Sequence, residues 1–249
     1  MVASSCFPES YVEPGRRVVI ITGGSRDIGA ALVAGYRGRG WAVVATARKI
    51  KPSEADDLLT VAGDIADPAT ADRITDAALD RFGRIDTVVN NAGVYISKPF
   101  TEYTAEDYAT IAGVNLAGFF WLTRRVIAEM AMRYGGHVVN VWATLPEVAN
   151  SGAPSVLAAL TKGGLAAATR SLAIEYACLG IRVNAVSPGI QTPVHPADSY
   201  ADLGDGLPPL GWPGQASDVV NGILFLESSP YITGEILHVD GGQIAGRQG

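Results

Sequence analysis

The chain has 249 residues and a mass of 26.0 kDa, is 48% hydrophobic and has a mean hydropathy of +0.19. That suits one large α/β domain with a sizeable core, while no apolar run approaches the roughly 20 residues of a membrane span. A net charge of −6 argues against nucleic acid or an anionic membrane as partner, and two cysteines, Cys6 and Cys178, offer no disulfide framework, which points to a reducing cytoplasm.

Met1 to Gly15 lack the basic start and apolar stretch of a secretory signal, and are expected to form a loose, mobile tail before a single domain over 16–249. In chain order, short apolar runs then alternate with helical patterns. Strands are predicted at Arg17–Ile21, Trp41–Thr46, Ile85–Val89, Gly136–Val141, Ile181–Val186 and Glu235–Val239, with a weaker one near Leu58–Val61. Helices are predicted at Ile28–Arg39, Pro68–Phe82, Ala105–Arg133, Ser155–Cys178 and Ser217–Leu226. Strand followed by helix, repeated, means parallel strands with right-handed crossovers, and runs this apolar fit a sheet covered on both faces. One stretch breaks the rhythm: Thr192 to Gly214, rich in Pro and Gly, reads as a lid. His137, His195 and His238 are far apart, and no metal-ligand spacing occurs.

Thr22-Gly23-Gly24-Ser25-Arg26-Asp27-Ile28-Gly29 follows the run Val18–Ile21 and opens a helix. Gly23 and Gly29 let the backbone turn tightly and approach a pyrophosphate, while the helix start offers N–H groups and a positive dipole. A lone glycine turn is weak evidence. Three more motifs reach the same sheet edge: Asn90-Asn91-Ala92-Gly93, Gly63-Asp64 and Pro188-Gly189. With Asn115 and Lys162 in register, the chain from about 17 to 244 resembles the classical short-chain dehydrogenase/reductase family.

The resemblance implies a Rossmann-like, doubly wound parallel sheet of about seven strands with helices on both faces, a nicotinamide cofactor and a homotetramer. It implies a cofactor site that includes Gly23, Ser25, Arg26, Ile28, Gly29 and Ile65, with Asp64 contacting the adenine. Asn90, Ala92 and Gly93 would shape the adenosine-ribose side, Lys162 and the Pro188-Gly189 turn the nicotinamide side, and Thr192 would hold the carboxamide. Bland alternatives stand beside two motifs: Asp64 as a helix cap, and Asn91 as a turn residue that satisfies backbone groups. Asp27 occupies the place of the family's second glycine, where a carboxylate suits the helix dipole but repels a phosphate.

Charge speaks to cofactor choice. The position after the second strand, where NAD enzymes carry an acid, reads Ala47-Arg48-Lys49. Arg48 and Arg26 suit a 2′-phosphate, so NADP(H) is expected.

The chemistry is less complete. Family members place a tyrosine four residues before the lysine and a serine after the fifth strand; here these positions are Ala158 and Ala143. Asn115 and Lys162 match the two remaining catalytic positions. Loss of a positioned general acid typically slows a reaction about 10²–10⁴-fold. Thr144, Tyr95, Ser155 and His195 are candidate donors, with Tyr95 first. Tyr95, Trp142, Ala143, Ala158 and His195 are expected to line a substrate pocket, closed by apolar lid residues such as Tyr200, Leu210 and Trp212. The expected function is NADPH-dependent reduction of C=N or C=O in a bulky, mostly apolar molecule. A non-redox cyclase or isomerase, or an inactive cofactor-binding protein, is the alternative.

Overall fold

A computed structural model describes residues 15–144, 147, 149, 152–189 and 207–246. Residues 1–14 of the expected tail, the site candidates Thr192 and His195 and the lid residue Tyr200 lie outside the described residues. Seven strands form one wholly parallel sheet in the order β3-β2-β1-β4-β5-β6-β7. They are β1 Val18–Thr22, β2 Ala42–Ala47, β3 Leu58–Ala62, β4 Thr87–Asn90, β5 Gly136–Val141, β6 Ile181–Pro188 and β7 Ile236–Val239. The order reverses direction between β1 and β4, the topological switch point where open α/β sheets bind ligands at their carboxyl edge.

Helices α1 (Asp27–Gly38) and α6 (Ala216–Ser228) cover one face. Val19, Ile21, Val43, Val89 and Val139 meet Leu32, Tyr36, Val219 and Ile223 there. Helices α2 (Pro68–Phe82), α4 (Gly118–Met132) and α5 (Val156–Glu175) cover the other, with Val18, Ile20, Val88 and Val138 packed on Ile74, Leu122 and Val126. Burial on both faces explains why these strands read as unbroken apolar runs.

The predicted helix Ala105–Arg133 is two helices, α3 (Ala105–Ala112) and α4, joined without a break by one π-helical turn over Gly113–Ala117. Gly113 and Gly118 both keep right-handed helical angles, so the chain stays helical through the turn and no break marks it. A Cβ at Gly118 would come 2.8 Å from Ile65, so the helix lies against the loop after β3. The predicted helix over 155–178 ends at Glu175, and a 3₁₀ turn, Ala177–Leu179, carries the chain to Gly180 at φ +69°.

A polar network ties the elements together at the opposite, amino edge of the sheet. Glu227 at the end of α6 accepts hydrogen bonds from Tyr36 Oη (3.1 Å) and Thr87 Oγ1 (2.9 Å), and lies 3.1 Å from His137 Nδ1. The other nitrogen, His137 Nε2, is 3.1 Å from the Asn184 amide, whose NH₂ can only donate. This fixes a neutral ring with its proton on Nδ1, and burial holds the imidazole pKa below its ordinary value. Arg182 donates to the carbonyls of Leu226, Glu227, Ser229 and Ile232, satisfying the orphan acceptors at the end of α6.

Candidate active site

The glycine turn and the loop after β4 are locked together at the switch point. Thr22 Oγ1 accepts from the backbone N–H groups of Asn91 (3.0 Å) and Ala92 (2.9 Å). The Asn91 amide donates back to Thr22 O at 2.9 Å. Asn91 therefore has the turn-satisfying role set out as its bland alternative. Thr22 was missed by sequence reasoning; its signal was a hydroxyl at the last position of an otherwise apolar strand. Gly23 sits at φ +69°, and a Cβ on Gly29 would come 2.0 Å from Gly23 O. No side chain fits there, so the first turn of α1 presses its N–H groups directly onto the loop. A crevice lined by Thr22, Ile65, Asn90, Ala92, Val114 and Asn115 opens beside it.

This cradle fits a dinucleotide. Ser25 and Arg26 are exposed at its lip, and Ile28 is half-buried behind it. Arg48 is exposed after β2 and makes no ion pair among the described residues. Thr46 Oγ1, at the end of β2, is buried with no hydrogen-bond partner. Asp64 is exposed, and its Oδ1 accepts from Ala66 N at 3.0 Å. The cap of α2 is Asp67, which accepts from Ala69 N, so the helix does not need Asp64. Ile65 is buried in the core. The Asn90 side chain turns into the sheet and donates to Thr123 Oγ1 and Asn140 Oδ1, both at 2.9 Å, while Asn140 donates on to Thr169.

Asn115 lies in the π turn, buried, and its three side-chain hydrogen bonds position its neighbours. Its Oδ1 accepts from Val94 N (2.9 Å); its Nδ2 donates to Val94 O (3.0 Å) and Thr161 Oγ1 (3.1 Å). It thus ties the loop beyond Gly93 to the helix turn that carries Lys162. The half-buried Lys162 donates to Val141 O at 3.1 Å, and burial pushes its ammonium pKa down from 10.5 to about 8. A Cβ on Gly93 would sit 3.2 Å from Lys162 Nζ, so this glycine keeps the approach to the ammonium open. Ala158, one turn before Lys162, is 2% exposed. Ala143 is half-buried, Thr144 is buried, and Tyr95 stands 50% exposed beyond the loop.

The carboxyl edge of the sheet continues over β5, β6 and β7. Trp142, expected at the pocket wall, is 6% exposed and packs with Ala166, Ala185 and Ile236. It follows Val141, the partner of Val186, while Ser187 pairs with His238. Trp142, the residue after β5, therefore stands in line with Ser187 and His238, and among the described residues Trp142 Nε1, Ser187 Oγ and His238 Nε2 are buried without a hydrogen-bond partner. His238 Nε2 faces Glu147 Oε2 at 3.0 Å. Gln243 Oε1 is a further orphan, close to Gly189. Native interiors leave few such groups, and these gather with Thr46 at one edge of the sheet, the edge where a bound ligand would lie. Pro188 is buried; Gly189 N donates to Val239 O, and a Cβ there would meet Asp240 at 2.8 Å. Of the lid residues described, Leu210 and Trp212 are exposed. Among the described residues no His, Cys, Asp and Glu cluster could hold a metal ion, and no helix is long and apolar enough to cross a membrane.

Residues 23–243 match the family described as enoyl-(acyl carrier protein) reductase. The chain is 33% identical over 237 residues to a 3-oxoacyl-[acyl-carrier-protein] reductase of Escherichia coli (strain K12), covering 91% of this chain and 96% of that protein. It is 32% identical over 253 residues to 3beta-hydroxysteroid dehydrogenase 1 of Eggerthella lenta, covering 91% and 93%. Among solved structures, ElxO with NADP bound superposes with a TM-score of 0.84 at 27% identity, over 93% of this chain and 100% of that one.

Proposed function

The chain belongs to the classical short-chain dehydrogenase/reductase family, and from that premise we propose that it is an NADPH-dependent reductase of C=N or C=O bonds in a bulky, mostly apolar small molecule. The observation that carries this reading is the buried Ala158, one turn from a retained Lys162 and Asn115. The turn around Gly23 and Gly29 would hold the pyrophosphate, Arg26 and Arg48 the 2′-phosphate, and Lys162 the nicotinamide ribose. The bound cofactor supplies the hydride. Lys162 contributes a positive charge held where its ammonium titrates near neutrality, and Asn115 fixes its turn.

Among the described residues, no tyrosine or serine hydroxyl is hydrogen-bonded to that ammonium. An alkoxide formed from a ketone needs a donor within hydrogen-bond reach; an iminium ion accepts hydride to give a neutral amine and needs none in that step. The preferred substrate is accordingly a preformed cyclic iminium ion, including a cyclic imine already protonated in solution. Ketone reduction is supported by the names of the relatives, a 3-oxoacyl reductase and a hydroxysteroid dehydrogenase, with Tyr95 or Thr144 as its donor. A non-redox role on the same scaffold is favoured by Ala143 and Ala158 together.

The test compares kcat/KM for one ketone and one matched cyclic imine in wild type and Ala158→Tyr. The imine is expected to be the better wild-type substrate, with the tyrosine raising ketone turnover by about 10²-fold and imine turnover far less. Wild-type ketone turnover equal to that of Ala158→Tyr would mean that another residue already donates the proton. No cofactor oxidation with either substrate would favour the non-redox reading. A homotetramer in a reducing cytoplasm completes the proposal; exposed Phe120, Leu160 and Ile174 on α4 and α5, and Phe225 and Tyr231 beside β7, offer apolar contact surface, and light scattering at micromolar concentration tests it.

A further inference from the structure

We propose that Asp27 is a cofactor-discriminating residue: its carboxylate competes with the 2′-phosphate of NADP(H) for Arg26 and repels phosphate at the start of α1. The inference rests on the NADP(H) reading above and extends it to a residue that the reading does not use. Three observations support it. Asp27 is a non-glycine residue at φ +50°, one of two in the described chain, the other being Tyr134. The turn therefore keeps the left-handed conformation that glycine takes freely, although an L side chain is disfavoured there; Asp and Asn are the residues that tolerate it best.

Second, Asp27 is the first residue of α1, and Arg26 before it makes no side-chain cap. A carboxylate here faces the positive end of the helix dipole, the same feature that attracts a pyrophosphate. Third, Arg26 Nε lies 3.5 Å from Asp27 Oδ2, with the Arg26 side chain 84% exposed and that of Asp27 37%. Arg48 has no carboxylate partner among the described residues. Of the two arginines assigned to the 2′-phosphate, Arg26 alone has an internal rival, so NADPH must draw it away from Asp27. NADH meets only the repulsion at the pyrophosphate.

The experiment titrates NADPH and NADH onto wild type, Asp27→Asn, Arg26→Ala and the double variant, by cofactor fluorescence or calorimetry at 0.05 and 0.5 M salt. Asparagine removes the charge while tolerating the same backbone angle, and thermal melts check that each variant is folded. Asp27→Asn is expected to tighten NADPH about three- to tenfold and NADH about twofold at low salt, with both gains shrinking at high salt. In the Arg26→Ala background the gain for NADPH should fall to that for NADH. Measurable binding with unchanged or weaker affinity in Asp27→Asn overturns the proposal and leaves the cofactor reading intact. Gains that are equal for both cofactors overturn the competition for Arg26. Failure of every protein to bind either dinucleotide overturns the cofactor reading itself, and the proposal with it.

Discussion

Lys162 carries a charge in a place that does not favour it, and this can be measured without any substrate. Its ammonium pKa falls from 10.5 to about 8 because burial removes water from the charged form. That difference corresponds to about 3 kcal/mol of destabilisation whenever both folded and unfolded lysine are protonated, which holds below pH 8. Between pH 8 and 10.5 the folded lysine loses its proton first, and the penalty falls by about 1.4 kcal/mol per pH unit until it is gone. Lys162→Met removes the penalty and also the bond to Val141 O, a loss of about 1 kcal/mol. The variant should thus be about 2 kcal/mol more stable than wild type at pH 7, and slightly less stable at pH 10.5. Urea unfolding of both proteins at pH 7, 8.5 and 10 measures this, and the difference between them cancels every other titration. A difference that does not change with pH would refute the burial argument, as would a variant less stable than wild type at pH 7.

Three further outcomes follow from the same geometry. Gly29→Ala places a methyl group 2.0 Å from Gly23 O, so NADPH affinity should fall at least tenfold, read by fluorescence titration beside a thermal melt. Thr22→Val removes the acceptor shared by Asn91 N and Ala92 N and should destabilise the protein by about 1–3 kcal/mol in urea unfolding while weakening NADPH. His137 is held neutral by burial, so its contribution to stability is complete above pH 6.5 and lost as pH falls below it, at up to about 1.4 kcal/mol per pH unit. His137→Gln should flatten the stability curve between pH 6.5 and 5; an unchanged slope would show that the imidazole protonates in place.

The strands were legible because both sheet faces are buried, so each apolar run marks a strand whichever way its side chains point. Their carboxyl ends could be aligned, and Gly23, Gly29, Gly93 and Lys162 fall at one edge as the motifs implied. What escaped the sequence was pairing across distance. Nothing local says that Thr22 binds the loop 69 residues on, or that Asn90, one residue from that loop, turns inward to Thr123. The π turn was invisible because the chain stays helical on both sides of it, and no residue type marks the one-residue shift of phase between the apolar stripes of α3 and α4. The row Trp142–Ser187–His238 was also out of reach, since register between β5, β6 and β7 is set by backbone hydrogen bonds rather than by any motif.

The π turn has an evolutionary reading. A helix with one surplus residue is what remains when an insertion is absorbed without breaking the helix, and each residue of α-helix spans about 100° of rotation. Deleting one residue from Gly113–Ala117 would restore a regular helix across the whole of 105–132 and improve its local hydrogen bonding. It would also turn everything on one side by that angle, carrying Asn115 away from Val94 and Thr161, or Leu122, Val126 and Met130 out of the core. The surplus residue thus acts as a phase adjuster. It lets one continuous rod present its first half in the rotation that suits the active-site loop and its second half in the rotation that suits the sheet. A chain that lost this one residue would keep the helix but could not keep both registers.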